Sequence, residues 1–426
     1  MRSFLLILFV TLFIYSCRTN DSEQFTLINT AHLDHLYKEV SFNDRQVAII
    51  HIYAEYPEYN YKDAPGEGIA CIDDVARAAV FYIRHYQYTK QTASLLKAEK
   101  LIRFIIEMQS GNGFFYNFIF KDLTINSTHR NSEARADWWT WRALWALAEA
   151  LPVLKENNSD LAQETESIIN KTLKAAMILK ENYPRKVDFM EIQLPGWLPM
   201  KFAADQAAVL IKGLVPYYQY SSDSDAKELI QMMADGIVLM QVGDSTHFPF
   251  NAILSWKNLW HAYGNSQSYA LIEAGNVLSN EKYISAAFKE INHFYPFLIK
   301  SEYLNYFTLE LDKDQFQRVE QKQFEQIAYN IRPMVFAALG AYSLTGEEAY
   351  SKLATDAACW LLGKNISGQA LYDPNTGRCF DGIISKNAIN FNSGAESTIE
   401  ALLALLEIEK HLTAKKIVHN FYKKKK

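Results

Sequence analysis

The sequence predicts an all-α chain: a ring of six helical hairpins, an (α/α)6 toroid, with short β-hairpins in the long loops at one end. Three observations carry this reading. Strongly apolar helical stretches open near Cys71, Asp137, Asp205, Trp260, Ile327 and Gly394, so a similar unit recurs roughly every 55–68 residues. Between them lie amphipathic stretches whose apolar residues recur at three- and four-residue steps, as in Leu101, Ile102, Ile105 and Ile106. Finally, 17 Gly and 11 Pro among 426 residues leave few positions for turns. With 49% hydrophobic residues the chain can bury a large core, and a net charge of -5 lacks the basic footprint of a nucleic-acid binder.

Taken in chain order, Arg2 and the apolar run Phe4 to Tyr15 are too short to span a bilayer and read as a signal peptide over 1–16. The run ends at Ile14-Tyr15-Ser16-Cys17, which resembles a bacterial lipoprotein box, so Cys17 becomes the lipidated N-terminus. Residues 17–30 then form a tether, and the acyl chains hold the protein at a membrane in the bacterial cell envelope, periplasmic or cell-surface. Residues 31–426 form a single toroid domain. Ala31 to Tyr53 supplies an outer helix that completes the first hairpin. The six apolar stretches are inner helices, buried on most faces. The outer helices are Ser94 to Gln109, Asp160 to Lys180, Asp225 to Val242, Glu281 to Ile299 and Glu347 to Leu362. The basic run Lys423 to Lys426 reads as a solvated tail.

Inner-to-outer connections are short, whereas those leading back are long: Ser110 to Ala136, Asn182 to Ala204, Gly243 to Leu259, Lys300 to Gln326 and Gly363 to Ser393. Loops of this length in a compact domain usually carry function, and all of these fall at the end holding the inner-helix N-termini. That end concentrates acids, namely Asp73, Asp74, Glu133, Asp137, Asp205, Asp381 and Glu396. It also gathers aromatics: six of the 8 tryptophans (Trp138, Trp139, Trp141, Trp197, Trp256 and Trp260) with Tyr263, Tyr329 and Tyr372. Aromatic faces stack on sugar rings and carboxylates bond hydroxyls or move protons, so this composition suits an oligosaccharide.

Asp73-Asp74 opens the first inner helix, where both acids favour the helix dipole and Asp73 can pair with Arg77 one turn on. An inner helix turns nearly every face toward protein, so at least one of them faces the central cavity. Glu396 opens the sixth inner helix, which ring closure sets beside the first. Asp74 and Glu396 are therefore the candidate acid/base pair for glycosidic cleavage, with Asp73 and Glu133 in reserve. Asp137, Trp139, Trp260, His261, Tyr263, Tyr329, Arg332, Tyr372 and Asp381 are the candidate substrate-binding residues. Glu133 and Asp137 stand at i, i+4 with Arg135 between them, which fits a salt bridge as well as a site. Gly111-Asn112-Gly113 reads as a turn feeding a strand that walls the cavity. Closure also places Cys379 near Cys71, a pair that an oxidising compartment could bridge, while Cys359 reads as a small buried hydrophobe. No Cys or His spacing signals a metal, and no GxSxG, HExxH or phosphate loop is present, so no cofactor is implied.

The alternation of helices and the acidic, aromatic rim resemble the six-hairpin glycosidase superfamily, which holds unsaturated glucuronyl hydrolases, inverting glycosidases, sugar epimerases and, in related toroids, polysaccharide lyases. Cys71-Ile-Asp-Asp-Val-Ala-Arg-Ala78, Trp141-Arg-Ala-Leu-Trp-Ala-Leu147 and Leu371-Tyr-Asp-Pro-Asn-Thr-Gly-Arg-Cys-Phe-Asp-Gly382 with Gly394-Ala-Glu-Ser-Thr398 look like a bacterial toroid domain found alone or beside glycosyltransferase domains. The resemblance implies a carbohydrate substrate and leaves the reaction open. A glycoside hydrolase is the leading reading. A lyase or epimerase would instead use His261, Tyr263 or Tyr329 as base, with Arg77 or Arg332 holding a uronate. A non-catalytic glycan-binding lipoprotein is the third reading.

Overall fold

The computed structural model describes residues 25–425 apart from Asp314. The expected leader 1–16, the expected lipidation site Cys17 and most of the expected tether lie outside the described residues. Among the described residues no helix is long and apolar enough to cross a membrane.

Six hairpins run inner helix to outer helix around the ring. They pair α1 (Ile72–Thr89) with α2 (Thr92–Glu107), α3 (Trp138–Asn157) with α4 (Ser159–Ala176), and α5 (Ala204–Ser221) with α6 (Ser224–Leu239). The second half pairs α7 (Gln267–Leu278) with α8 (Glu281–Lys289), α9 (Ala328–Thr345) with α10 (Glu348–Ala358), and α11 (Ala395–Lys410) with α12 (Leu412–Lys425). Each inner helix packs on the inner helices either side of it, and α11 packs on α1 to close the ring. The hairpin turns are tight because single residues take the left-handed conformation that ends a helix: Lys90, Ser222, Ser279 and Gly346. Asn158, Asp223 and Asn280 then cap the next helix through their side-chain oxygens.

Three expectations are corrected here. Ala31 to Tyr53 is not an outer helix. It forms a short helix, Ala31–Leu36, and an antiparallel hairpin of Tyr37–Phe42 with Arg45–Ile50, whose apolar run Val47 to Ile50 is buried and suits a strand. The sixth outer helix is instead the C-terminal α12. Nor does the fourth inner helix open at Trp260. Leu259–His261 is a strand paired with Tyr306–Asp312, and Gly264, at φ +65°, turns the chain before α7 begins at Gln267. With that start the repeat becomes nearly even. Finally, the ends of the domain are docked. Leu27 is fully buried with its N–H on Glu409, and the Asn29 N–H bonds the Tyr372 hydroxyl, so the described end of the expected tether is docked on the domain. Lys425, read as part of a solvated tail, donates from Nζ to the carbonyls of Gly363 and Gly368.

The long outer-to-inner loops carry the small β elements. One is a three-stranded sheet of Ala70–Cys71, Phe118–Ile119 and Ile125–Asn126; others pair Tyr372–Asp373 with Arg378–Cys379, and Gly382–Ser385 with Ala388–Asn390. Trp141 and Trp145 of α3 are fully buried at the ring's interior, where truncation of such a side chain costs about 3–5 kcal/mol. The core therefore fixes the inner helices, and the helices fix where their N-terminal side chains point.

Candidate functional site

The inner-helix N-termini converge on a cavity of two adjoining lobes, about 270 and 320 Å³. Asp73, Phe118, Arg142, Ile327, Tyr329 and Glu396 border both lobes and form the waist between them. The first lobe adds Tyr53, Glu67, Cys71, Asp74, Arg77 and Asp381; the second adds Asn117, Asn131, Asp137, Trp138, Trp139 and Tyr263. The first lobe thus gathers more of the acids, and the second more of the aromatic and amide groups.

Arg77, one turn into α1 and buried, organises the first lobe. Its Nη2 meets Asp74 Oδ1 at 2.7 Å, and its Nη1 meets Glu396 Oε2 at 2.9 Å and Glu400 Oε1 at 3.2 Å. Its Nε donates to the Asp73 carbonyl. Asp74 and Glu396 therefore share one guanidinium, and fork geometry limits the bound oxygens to at most about 8 Å apart. The two differ in access: Asp74 is buried, whereas the Glu396 side chain is 42% exposed to the cavity. Burial raises the Asp74 carboxyl to about 6, against the pull of Arg77 and with a further push from the charge of Glu396. The Cys71 thiol donates to Asp74 Oδ2 at 3.2 Å. Asp381 accepts from the Gly394 N–H at 2.8 Å and the Ser397 hydroxyl at 2.6 Å. Burial still raises its carboxyl above the ordinary value.

At the waist Arg142 pairs with Asp73 and donates to the Tyr329 hydroxyl at 2.9 Å, its guanidinium lying 4.9 Å over the Trp138 ring. Asn117 Nδ2 holds the second Asp73 oxygen at 3.1 Å. Below the cavity Arg332 Nε meets Glu400 Oε2 at 2.5 Å. Burial opposes ionisation of Glu400, yet Arg332 and Arg77 hold it below its usual range.

The structure sorts the sequence-derived candidates. Asp73, Asp74, Asp137, Trp139, Tyr263, Tyr329, Asp381 and Glu396 all line the cavity. Asp137 is also the N-cap of α3 and is held by Arg135, while Trp139 fixes its indole on the Phe115 carbonyl. Five candidates are placed elsewhere. Glu133 pairs with Arg135 outside the cavity lining. Trp260 is buried in a cluster with Phe294 and Phe307 and serves the core. Tyr372 is buried and donates to the Leu27 carbonyl, holding the N-terminal segment. Arg332 is fully buried beneath the cavity. His261 is buried behind Tyr263, its ring held between Asp205 Oδ2 at 2.8 Å and the Tyr263 carbonyl at 2.9 Å. The strand at Phe118–Ile119 contributes Phe118 to the wall, and Cys71, Cys359 and Cys379 are all free and buried, with no disulfide.

Sequence reasoning missed Arg142, Asn117, Asn131, Glu67 and Tyr53. For Arg142 a signal existed: Arg77, Arg142, Lys212, Arg332 and Glu400 are charged residues inside otherwise apolar inner helices, where a charge persists only with a partner or a cavity. The loop residues carried no such mark.

No protein-family model matches the sequence, and no curated protein does either. Solved structures do match in fold. Cellobiose 2-epimerase from Bacillus thermoamylovorans aligns with a TM-score of 0.63 and 11% identity, over 89% of this chain and 95% of that one. Cellobiose 2-epimerase from Spirochaeta thermophila aligns at 0.58 and 12%, over 85% and 90%. An inactive α-1,6-mannanase variant from a Salegentibacter species, in complex with α-1,6-mannotetrose, aligns at 0.51 and 10%, over 84% and 92%. At these identities the likeness is one of fold: this chain is an (α/α)6 toroid.

Proposed function

We propose that this chain is a carbohydrate-active enzyme, and specifically a glycoside hydrolase that cleaves an oligosaccharide with Asp74 as proton donor and Glu396 as base or nucleophile. One observation carries the assignment: residues from opposite ends of the chain are brought onto one guanidinium, one buried with a carboxyl near 6 and the other open to the cavity. The upper limit of about 8 Å set by the shared guanidinium is compatible with the ~5–10 Å that a carboxylate pair flanking a glycosidic bond occupies. In the step, Asp74 gives its proton to the leaving oxygen as the C–O bond breaks. The oxygen of water bonds to the anomeric carbon, directly or after a glycosyl-Glu396 intermediate, and the water's proton leaves on a carboxylate. Trp138, Trp139, Tyr263, Asn117 and Asn131 in the second lobe supply stacking faces and hydrogen bonds for a sugar. The fold neighbours, which include cellobiose epimerases and a mannanase, support a carbohydrate ligand. The lyase reading weakens because Arg77 is committed to protein carboxylates and Arg332 cannot reach a substrate. We also propose that lipidation at Cys17 displays the domain at the bacterial cell envelope; Cys17→Ser should move it from the membrane to the soluble fraction.

The test is product analysis on cello- and α-1,6-manno-oligosaccharides of two to six units. Hydrolysis yields shorter sugars, and Asp74→Asn or Glu396→Gln should abolish it with the fold intact. Wild-type turnover retained in both variants overturns the pair. A product of unchanged mass indicates an epimerase, an ultraviolet-absorbing product a lyase, and binding without turnover a glycan-binding protein.

A further inference from the structure

Beyond the cavity mouth, the segment Ile52 to Tyr56 runs beside Phe391 to Ala395, the stretch that leads into α11 and Glu396. The two are tied by the Ala395 N–H to the Ile52 carbonyl at 2.8 Å, the Ser393 N–H to the Ala54 carbonyl at 3.1 Å, and the Tyr56 N–H to Asn392 Oδ1 at 3.0 Å. Gly394 permits this approach, since a Cβ there would stand 2.8 Å from the Ile52 carbonyl oxygen. The ribbon presents rings to solvent. Tyr53, at its inner end, lines the cavity and is 43% exposed. Three residues further out, about 10 Å along an extended chain, Tyr56 is 58% exposed. Its ring lies 5.6 Å from that of Phe391, itself 40% exposed. Phe380 meets Phe391 edge-on at 5.1 Å, and the buried Tyr59 meets Tyr56 edge-on at 6.1 Å, so both outer rings are braced.

Single exposed aromatics are ordinary on a protein surface; here a braced, exposed pair stands on the backbone ribbon whose inner end, at Tyr53, lines the cavity. We propose that Tyr53, Tyr56 and Phe391 form a shelf that extends the binding site outward and takes further sugar units of a longer oligosaccharide by stacking. This rests on the glycan reading above. The chemistry favours a sugar over a lipid surface, because the row is interrupted by the polar side chain of Asn392 and adjoins Glu67, Asp381 and Glu396, which repel anionic headgroups. The substrate implied is longer than the cavity itself, with the reacting bond at the waist and the remaining chain lying over the ribbon.

The experiment is calorimetric titration of the wild type, Tyr56→Ala, Phe391→Ala and Tyr56→Trp with the same oligosaccharide panel, alongside thermal unfolding. Wild-type affinity should rise with chain length. Tyr56→Ala and Phe391→Ala should weaken the longest members about tenfold while leaving the two-unit sugar unchanged, and Tyr56→Trp should restore the loss. Wild-type affinity independent of length overturns the shelf, as does a loss equal for short and long sugars. Length-dependent binding without turnover overturns the hydrolase and leaves the shelf standing. No glycan binding at all overturns both.

Discussion

Two arginines on one helix show how differently the two ends of the ring use the same chemistry. Arg77, near the start of α1, and Arg84, two turns further, each sit among carboxylates brought in from neighbouring inner helices. At the open end Arg77 is divided among Asp74, Glu396 and Glu400, so burial prevails at Asp74 and its carboxyl rises to about 6. At the closed end Arg84 holds Glu149 at 2.7 Å and Glu407 at 3.8 Å. Burial works against ionisation of Glu407 too, but His411, Lys410 and Arg84 together bring it down to about 2. The cations facing each carboxylate separate Asp74 from Glu407, while Glu273, beside Arg84 at the same end as Glu407 but with no such set of cations, is raised to about 7 by burial.

The largest test of this contrast is catalytic. Glu396→Gln and Asp74→Asn should each lower kcat by about 10²–10⁴-fold, whereas Glu407→Gln at the closed end should leave kcat unchanged; a fall in the last would break the division of labour. Next in size is stability. Arg77→Met and Arg84→Met each strand buried carboxylates and should cost about 3–5 kcal/mol in denaturant unfolding, but only Arg77→Met should also remove activity.

The pH dependence contributed by Asp74 and by Glu407 should have opposite sign. Folded Asp74 holds its proton to about 6 rather than 3.8, so its contribution to stability is present at low pH and lost as pH rises through 6. Activity that needs its proton declines over the same range. Folded Glu407 titrates at about 2 rather than 4.5, so its contribution is present above the ordinary value and lost as pH falls toward 2. Unfolding free energy measured against pH for the wild type, Asp74→Asn and Glu407→Gln should show each slope vanish in its own variant. The smallest effect separates core from rim: Trp260→Phe should lower stability by about 1–2 kcal/mol without touching glycan affinity, and Tyr263→Ala should do the reverse.

The number of hairpins, the inner and outer character of the helices and the end carrying the long loops were legible because periodicity and loop length are properties of contiguous residues. Asp73, Asp74 and Glu396 could be placed at that end for the same reason, each lying in the first turn of an inner helix. Local pattern failed where two structures share it: the aromatic, polar run from Trp260 reads as a helix start, and only pairing with Tyr306–Asp312 makes it a strand. It failed again for Ala31 to Tyr53, whose hairpin follows from Val47 to Ile50 finding a buried face. What the tertiary structure alone decided is which charges meet. Arg77 and Glu396 lie 319 residues apart, and Arg142 and Asp73 lie 69 apart, so their pairing depends on ring closure and on the register of helix against helix. Because burial penalises every unpaired charge, that pairing also determined which carboxylate stores a proton and which is tied down.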